Sequence, residues 1–130
     1  MEPDIKMIQV DLREHGIMFV LPANGKITGD IELPGGALIQ GVVFGKVTCA
    51  RGSLILAPGS KFSGHAEADK IYVGGTVCVN DGKFSSLVAR LLMAISSEAV
   101  VHADISSRTF AINSKNVYGS MKTLPALQET

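Results

Sequence analysis

Ile39, Leu56 and Val73 stand 17 residues apart, and so do Leu54 and Ile71. Triplets of the form apolar-x-Gly-x-apolar recur on nearly the same period: Ile27-x-Gly29-x-Ile31, Val43-x-Gly45-x-Val47 and Phe62-x-Gly64-x-Ala66, with a weaker echo at Val101-x-Ala103-x-Ile105. Between the runs fall Asn24-Gly25, Pro34-Gly35-Gly36, Arg51-Gly52, Pro58-Gly59 and Gly74-Gly75, and such pairs mark turns. A repeat of 16 to 19 residues is too short for ankyrin, tetratricopeptide or leucine-rich units. It matches one rung of a β-helix. Such a rung cannot bury its inner face alone, so rungs must stack at the parallel-strand spacing of about 4.8 Å. About six of them make a rod roughly 30 Å long.

The local pattern agrees. In ALIQGVVFGKVTC, every second residue from Ala37 to Cys49 is apolar or glycine, the alternation of a strand with one buried face. Hydrophobic residues make up 46% of the chain but aromatics only 5%, with 14 glycines; the core must be a narrow one built from small side chains. A strict six-residue repeat, as in left-handed β-helix acyltransferases, fails: from Ile27 it reaches Arg51, and from Ile31 it reaches Lys61. The 130 residues suit a single domain, with the repeats clearest over 26–79.

After Val79 the rungs break off. SSLVARLLMAISS places Leu87, Val88, Leu91, Leu92 and Ile95 at helical spacing, behind a serine N-cap and without glycine or proline. The spacing predicts one amphipathic helix over about 85–97, inserted into an otherwise all-β chain. Strand character resumes over 99–121 with AVVHADI, TFAI and NVYGSM, and 122–130 reads as a short tail.

The order KITGDI, LIQGVVFGKV, LILAPGSKFSGHAEADKIYVGGTV, from Lys26 to Val77, resembles the bactofilins, bacterial polymer-forming cytoskeletal proteins. The stretch from Gly59 to Val73, with its Glu-Ala-Asp before a strand, is the most telling piece. The resemblance implies a right-handed parallel β-helix that assembles end to end into filaments without nucleotide or other cofactor. It also implies a cytoplasmic scaffold near the inner face of the membrane, partnered by itself and by a cell-wall or membrane-associated protein. MEPDIKMIQV lacks the short hydrophobic start by which many members reach the membrane, so direct membrane binding is not expected.

Other chemistry has weak support. GHAEAD puts His65, Glu67 and Asp69 on one side of a strand, and His-x-Glu begins the zinc deaminase signature. That signature also needs Pro-Cys-x-x-Cys, because zinc needs further ligands, and only Cys78 follows, in Thr-Val-Cys-Val-Asn. The three side chains read as an outward face, with His65 stacked in a ladder with Asp30 and Lys46. His102 reads as outward too, His15 as part of a charged loop, and Cys49 and Cys78 as small inward residues. No glycine pattern of a phosphate-binding loop occurs. Twelve basic residues balance twelve acidic ones, which gives no pull toward nucleic acid. Catalytic, cofactor-binding and metal residues are therefore not assigned.

Two surfaces remain. Leu38, Val42 and Phe44 form an outward apolar stripe, and the apolar face of the predicted helix (Leu87, Leu91, Ile95) is expected to cover it. A β-helix also has two open ends. Ile17, Phe19 and Leu21 should lie near the first rung, and Phe110, Ile112, Val117 and Tyr118 near the last, forming end-to-end contacts. The leading expectation is a non-enzymatic scaffold that self-assembles and presents a side surface to partners. A capped, non-polymerising adaptor is the alternative, and a small acyltransferase using His65 or His102 ranks behind both.

Overall fold

The computed structural model describes residues 17–79 and 84–124. The chain winds through about six turns of a parallel β-solenoid. The first turn holds β1 (Ile17–Leu21), β2 (Lys26–Thr28) and β3 (Ile31–Leu33). The second holds β4 (Gly36–Ile39) and β5 (Val42–Cys49). β6 (Ser53–Leu56) opens the third, and β7 (Lys61–Val73) bends through it into the fourth, which continues with β8 (Thr76–Val77). β9 (Ser85–Ile95) runs from the fourth turn into the fifth, and β10 (Val100–Ile112) from the fifth into the sixth. β11 (Val117–Tyr118) and β12 (Met121–Thr123) complete the sixth.

Strand pairing sorts these segments into three faces. The first face stacks β1, β4, β6 and the closing stretches of β7, β9 and β10. The second stacks β2, the openings of β5 and β7, β8, the opening of β10, and β11. The third stacks β3, the rest of β5, the middle of β7, the opening of β9, the middle of β10, and β12. Every one of these pairings is parallel.

The sequence period becomes vertical register. Ile39, Leu56 and Val73 sit one above another, and Leu54 lies beneath Ile71. Ile27, Val43 and Phe62 are stacked on the second face, and Ile31, Val47 and Ala66 on the third. All of the inward residues in the middle turns join one core, where Phe62, Leu54, Ile71, Leu87 and Ile105 are at most 1% exposed. Burying each such side chain contributes roughly 1.5–3 kcal/mol. Ala66, Ala68, Ala89 and Ala103 leave room for them in the same cluster.

The central glycines of the triplets form the corner between the second and third faces. Gly45 and Gly64 have φ of +145° and +132°. A Cβ on Gly64 would overlap the carbonyl oxygen of Gly45, and one on Gly45 that of Gly29. Rungs stack this closely at the corner only when no side chain intervenes. Val117-x-Gly119-x-Met121 has the same form at the last turn, where Gly119 lies against the carbonyl of Ala103.

The fourth turn departs from this plan. Met93 stacks on Ile71, five places later than a 17-residue period puts it. The longer connection lies between β8 and β9, and Ser85 occupies the corner. Its hydroxyl accepts a hydrogen bond from the Gly64 N–H (2.9 Å) and donates one to the Cys78 carbonyl (2.6 Å).

The helix expected over 85–97 is absent: Ser85–Ile95 is strand, and no helix occurs among the described residues. Ser85, Leu87 and Ala89 are buried in alternation, and Met93 and Ile95 resume it after the slip at Arg90 and Leu91. Val88, Leu92 and Ala94 on the other side are apolar as well, which hid the period of two. Spacings of four and eight fit one face of a strand as well as a helix. Neighbours β7 and β10 on both sides supply the backbone hydrogen bonds that a helix would make internally.

The expected helix docking falls with it. Leu87 and Ile95 face the core, and Leu91 lies with Arg90 where the register slips. Leu38 belongs to the first face, Val42 and Phe44 to the second, so the three make no single stripe. Phe44 stays exposed, with the Lys26 ammonium 5.5 Å from its ring centre. Cys78 is half-buried; Val77, one place earlier, takes the inward position. Lys122 and Thr123 belong to β12 rather than to a tail. The readings made for MEPDIKMIQV, for His15 and for the tail beyond Leu124 lie outside the described residues.

Candidate functional site

The two ends of the solenoid differ from its middle. β1, β2 and β3 each pair on one side only among the described residues, as do β11, β12 and the last stretch of β10. Their inward side chains are incompletely covered: Phe19, Ile27, Ile31 and Leu33 at one end, Phe110, Ile112 and Val117 at the other, all packed on the core but half-buried. Met121 is 54% exposed. Unpaired edge strands over exposed core side chains are a template for another chain.

The residues expected at the ends are found in the terminal turns. Ile17 pairs with Gly36, Phe19 is half-buried, and Leu21 is buried at the rim of the core. Phe110 and Ile112 close the first face, and Val117 the second. Tyr118 instead looks sideways. It stacks on His102, ring centres 4.8 Å apart, and its hydroxyl contacts the Asn116 side-chain oxygen at 3.4 Å. Ile27, Ile31, Leu33 and Met121 were missed as end residues. For Ile27, Ile31 and Met121 the triplets that contain them carried the signal, since first and last triplets must lie in terminal rungs; Leu33 continues the alternation of Ile31.

GHAEAD is an outward strand face, as alternation requires: Phe62, Ala66 and Ala68 are buried, while His65, Glu67 and Asp69 are not. His65 stacks on Lys46. The two carboxylates are held by Arg90, which sequence reasoning did not single out. Its Nε donates to Asp69 Oδ1 at 2.8 Å, and its Nη1 to Glu67 Oε2 at 3.0 Å. Its Nη2 reaches the carbonyls of Cys49 (2.6 Å) and Ala50 (3.2 Å). One guanidinium thus fastens the second, third and fourth turns together on the corner between third and first faces. No signal in the sequence pairs Arg90 with residues 21 to 41 places away; the stacking alone does.

This arrangement is a brace. Among the described residues no cluster of three or more His, Cys, Asp or Glu is placed to hold a metal ion. Burial pushes the Cys49 thiol up to about 11, with the Arg90 charge opposing the rise. A thiol so far above neutrality stays protonated and is a poor nucleophile.

A groove of about 890 Å³ runs along the outside of the first face. Its floor is the outward row Leu38, Ile55, Tyr72, Ala94 and Ala111, one residue per turn. Only Leu38 of this row was anticipated.

The sequence model described as "Bactofilin: Polymer-forming cytoskeletal" matches residues 19–122. The chain belongs to the bactofilin family. The match begins in β1 and ends in β12, so this bactofilin's six turns and the family region coincide. The family is one of structural, self-polymerising cytoskeletal proteins. Comparison with curated proteins and with solved structures finds no match to this bactofilin.

Proposed function

We propose that this chain is a non-enzymatic structural subunit that polymerises end to end through its first and last turns, without nucleotide. The observation that carries the reading is the contrast in burial. Inward side chains such as Val43, Leu54, Ile71, Leu87 and Ile105 are fully covered, whereas those of the terminal turns are half-exposed beside strand edges that have no partner among the described residues. Stacking another subunit on each end supplies both the missing backbone partners and the missing cover. Membership of a polymer-forming family supports the same conclusion. In this reading the polymer is a cytoplasmic scaffold that reaches the inner face of the membrane through a partner protein.

Negative-stain microscopy and sedimentation of the purified chain, with no nucleotide or metal added, test the proposal. Filaments are expected from the parent protein. Phe19→Arg and Phe110→Arg should each give short or single particles with the β-sheet circular dichroism of the parent. A uniform small particle from the parent overturns the reading in favour of a capped adaptor. Unchanged filaments in both variants would show that the contacts lie elsewhere.

A further inference from the structure

On the outside of the first face, burial peaks at the second turn and falls away on both sides. Ala37 and Ile39 of β4 face the core, so alternation sends Gly36 and Leu38 outward. All four are nevertheless buried, with Leu38 only 6% exposed. In β6 the outward Ser53 is buried and Ile55 half-buried. One turn further Lys70 is exposed and Tyr72 half-buried, and in the sixth turn Thr109 and Ala111 are both exposed. On the other side, Val20 of β1 is 38% exposed. An outward leucine in the middle of a sheet stays this dry only where something packs over the sheet. Every described strand is part of the coil itself, so none of them lies across this face.

We propose that the residues preceding Ile17 cross the outside of the first face over its second and third turns, as a strap on Gly36, Leu38 and Ser53. Two other stretches lie outside the described residues, and neither starts near this cover. Residues 80–83 lead into Phe84 and Ser85, at the corner between second and third faces. Those beyond Leu124 follow the sixth turn, where the outward positions are most open. Ile17, by contrast, pairs directly with Gly36.

The segment has the chemistry and the reach for this. No charged residue lines the groove along the face, and residues 7–10 carry no charge either. Ile8, Val10 and Leu12 alternate with polar neighbours, so an extended strap turns all three toward Leu38 and Ile55. The five residues from Leu12 to Ile17 span up to roughly 16 Å, more than the roughly 10 Å between the first turn and the third. A strap fastened there clamps β1, whose one partner among the described residues is β4, onto the second turn. It also withdraws Leu38 from other apolar surfaces and leaves the groove open beyond it, from Tyr72 to Ala111.

Thiol labelling of Leu38→Cys in the full chain tests the strap. Cys78→Ser removes the half-buried native thiol, and Cys49 is buried. Leu38→Cys is expected to react at least about tenfold more slowly than Ala111→Cys, at the exposed end of the same row. Deleting residues 1–12 should raise the Leu38→Cys rate toward that of Ala111→Cys and leave the latter unchanged. Ile8→Asp with Val10→Asp should do the same at full length, and circular dichroism checks that each variant keeps its β-sheet. A Leu38→Cys thiol that stays slow in both variants with the sheet intact, or that reacts fast with the segment in place, overturns the strap. Protection that is lost on dilution assigns the cover to a second copy and overturns it as well.

Discussion

Replacing Arg90 with alanine removes a side chain that spans three turns. The bond to the Cys49 carbonyl is short, at 2.6 Å, and that to Ala50 longer, at 3.2 Å. Hydrogen bonds from charged donors contribute about 1.5–3 kcal/mol in favourable settings. The Arg90 side chain is 32% exposed, so solvent reduces the pair to about 1–1.5 kcal/mol together. The ion pairs to Asp69 and Glu67 have partners 31% and 38% exposed, and contribute about 0.5 kcal/mol each. The total is about 2 kcal/mol, or roughly 10 °C in melting temperature for a domain of this size. Urea unfolding followed by circular dichroism, in the Phe110→Arg background to suppress assembly, measures it. Arg90→Lys should recover less than half, since an ammonium cannot span two carboxylates and two carbonyls as a planar fork does. High salt should remove the ion-pair half and spare the carbonyl half. A loss within about 0.5 kcal/mol for Arg90→Ala, or full recovery by lysine, refutes the brace.

Gly64→Ala meets both a φ of +132° and the Gly45 carbonyl, and should cost more than about 3 kcal/mol; Gly59→Ala, at φ +89° with open space around it, should cost about 1 kcal/mol. Similar losses for the two by urea unfolding would show that close rung stacking is not what the glycine serves. Ser85→Ala leaves the Gly64 N–H and Cys78 carbonyl without their shared hydroxyl and should lower stability by about 1–2 kcal/mol in the same assay; no change means that water replaces it. Cys49 links stability to alkaline pH. Its thiol rises from an ordinary 9.0 to about 11 in the folded chain, chiefly through burial. The contribution is fully present below about pH 9, where both states are protonated. Between 9 and 11 the unfolded thiol ionises first, so stability falls by up to about 1.4 kcal/mol per pH unit until the folded thiol ionises too. Denaturant titrations at pH 8 and pH 11, compared with Cys49→Ala, isolate this loss; parallel pH curves for the two proteins refute it.

Legibility followed distance along the chain and side-chain contrast. GHAEAD could be assigned to an outward face because Ala66 and Ala68 alternate with charged neighbours. Ser85–Ile95 could not, because its outward residues Val88, Leu92 and Ala94 are as apolar as its inward ones. The end residues were partly legible, since a repeat declares its own first and last members. The groove was not, because Ile55, Tyr72 and Ala94 look like ordinary strand residues until they are stacked.

The sequence by itself determined the repeat: inward residues at every second position, glycine at one corner of the rung, and a period near 17. Those features are local, and the backbone sterics and alternating side chains that enforce them act within a few residues. Tertiary structure alone decided the strand state of Ser85–Ile95, the Arg90 brace and the groove of the first face. Each depends on which residues lie one rung away, and the five extra positions in the fourth turn shift that register beyond Val79. Parallel stacking converts a sequence separation of 15 to 24 residues into a contact of about 4.8 Å, so a single local insertion re-addresses every later neighbour.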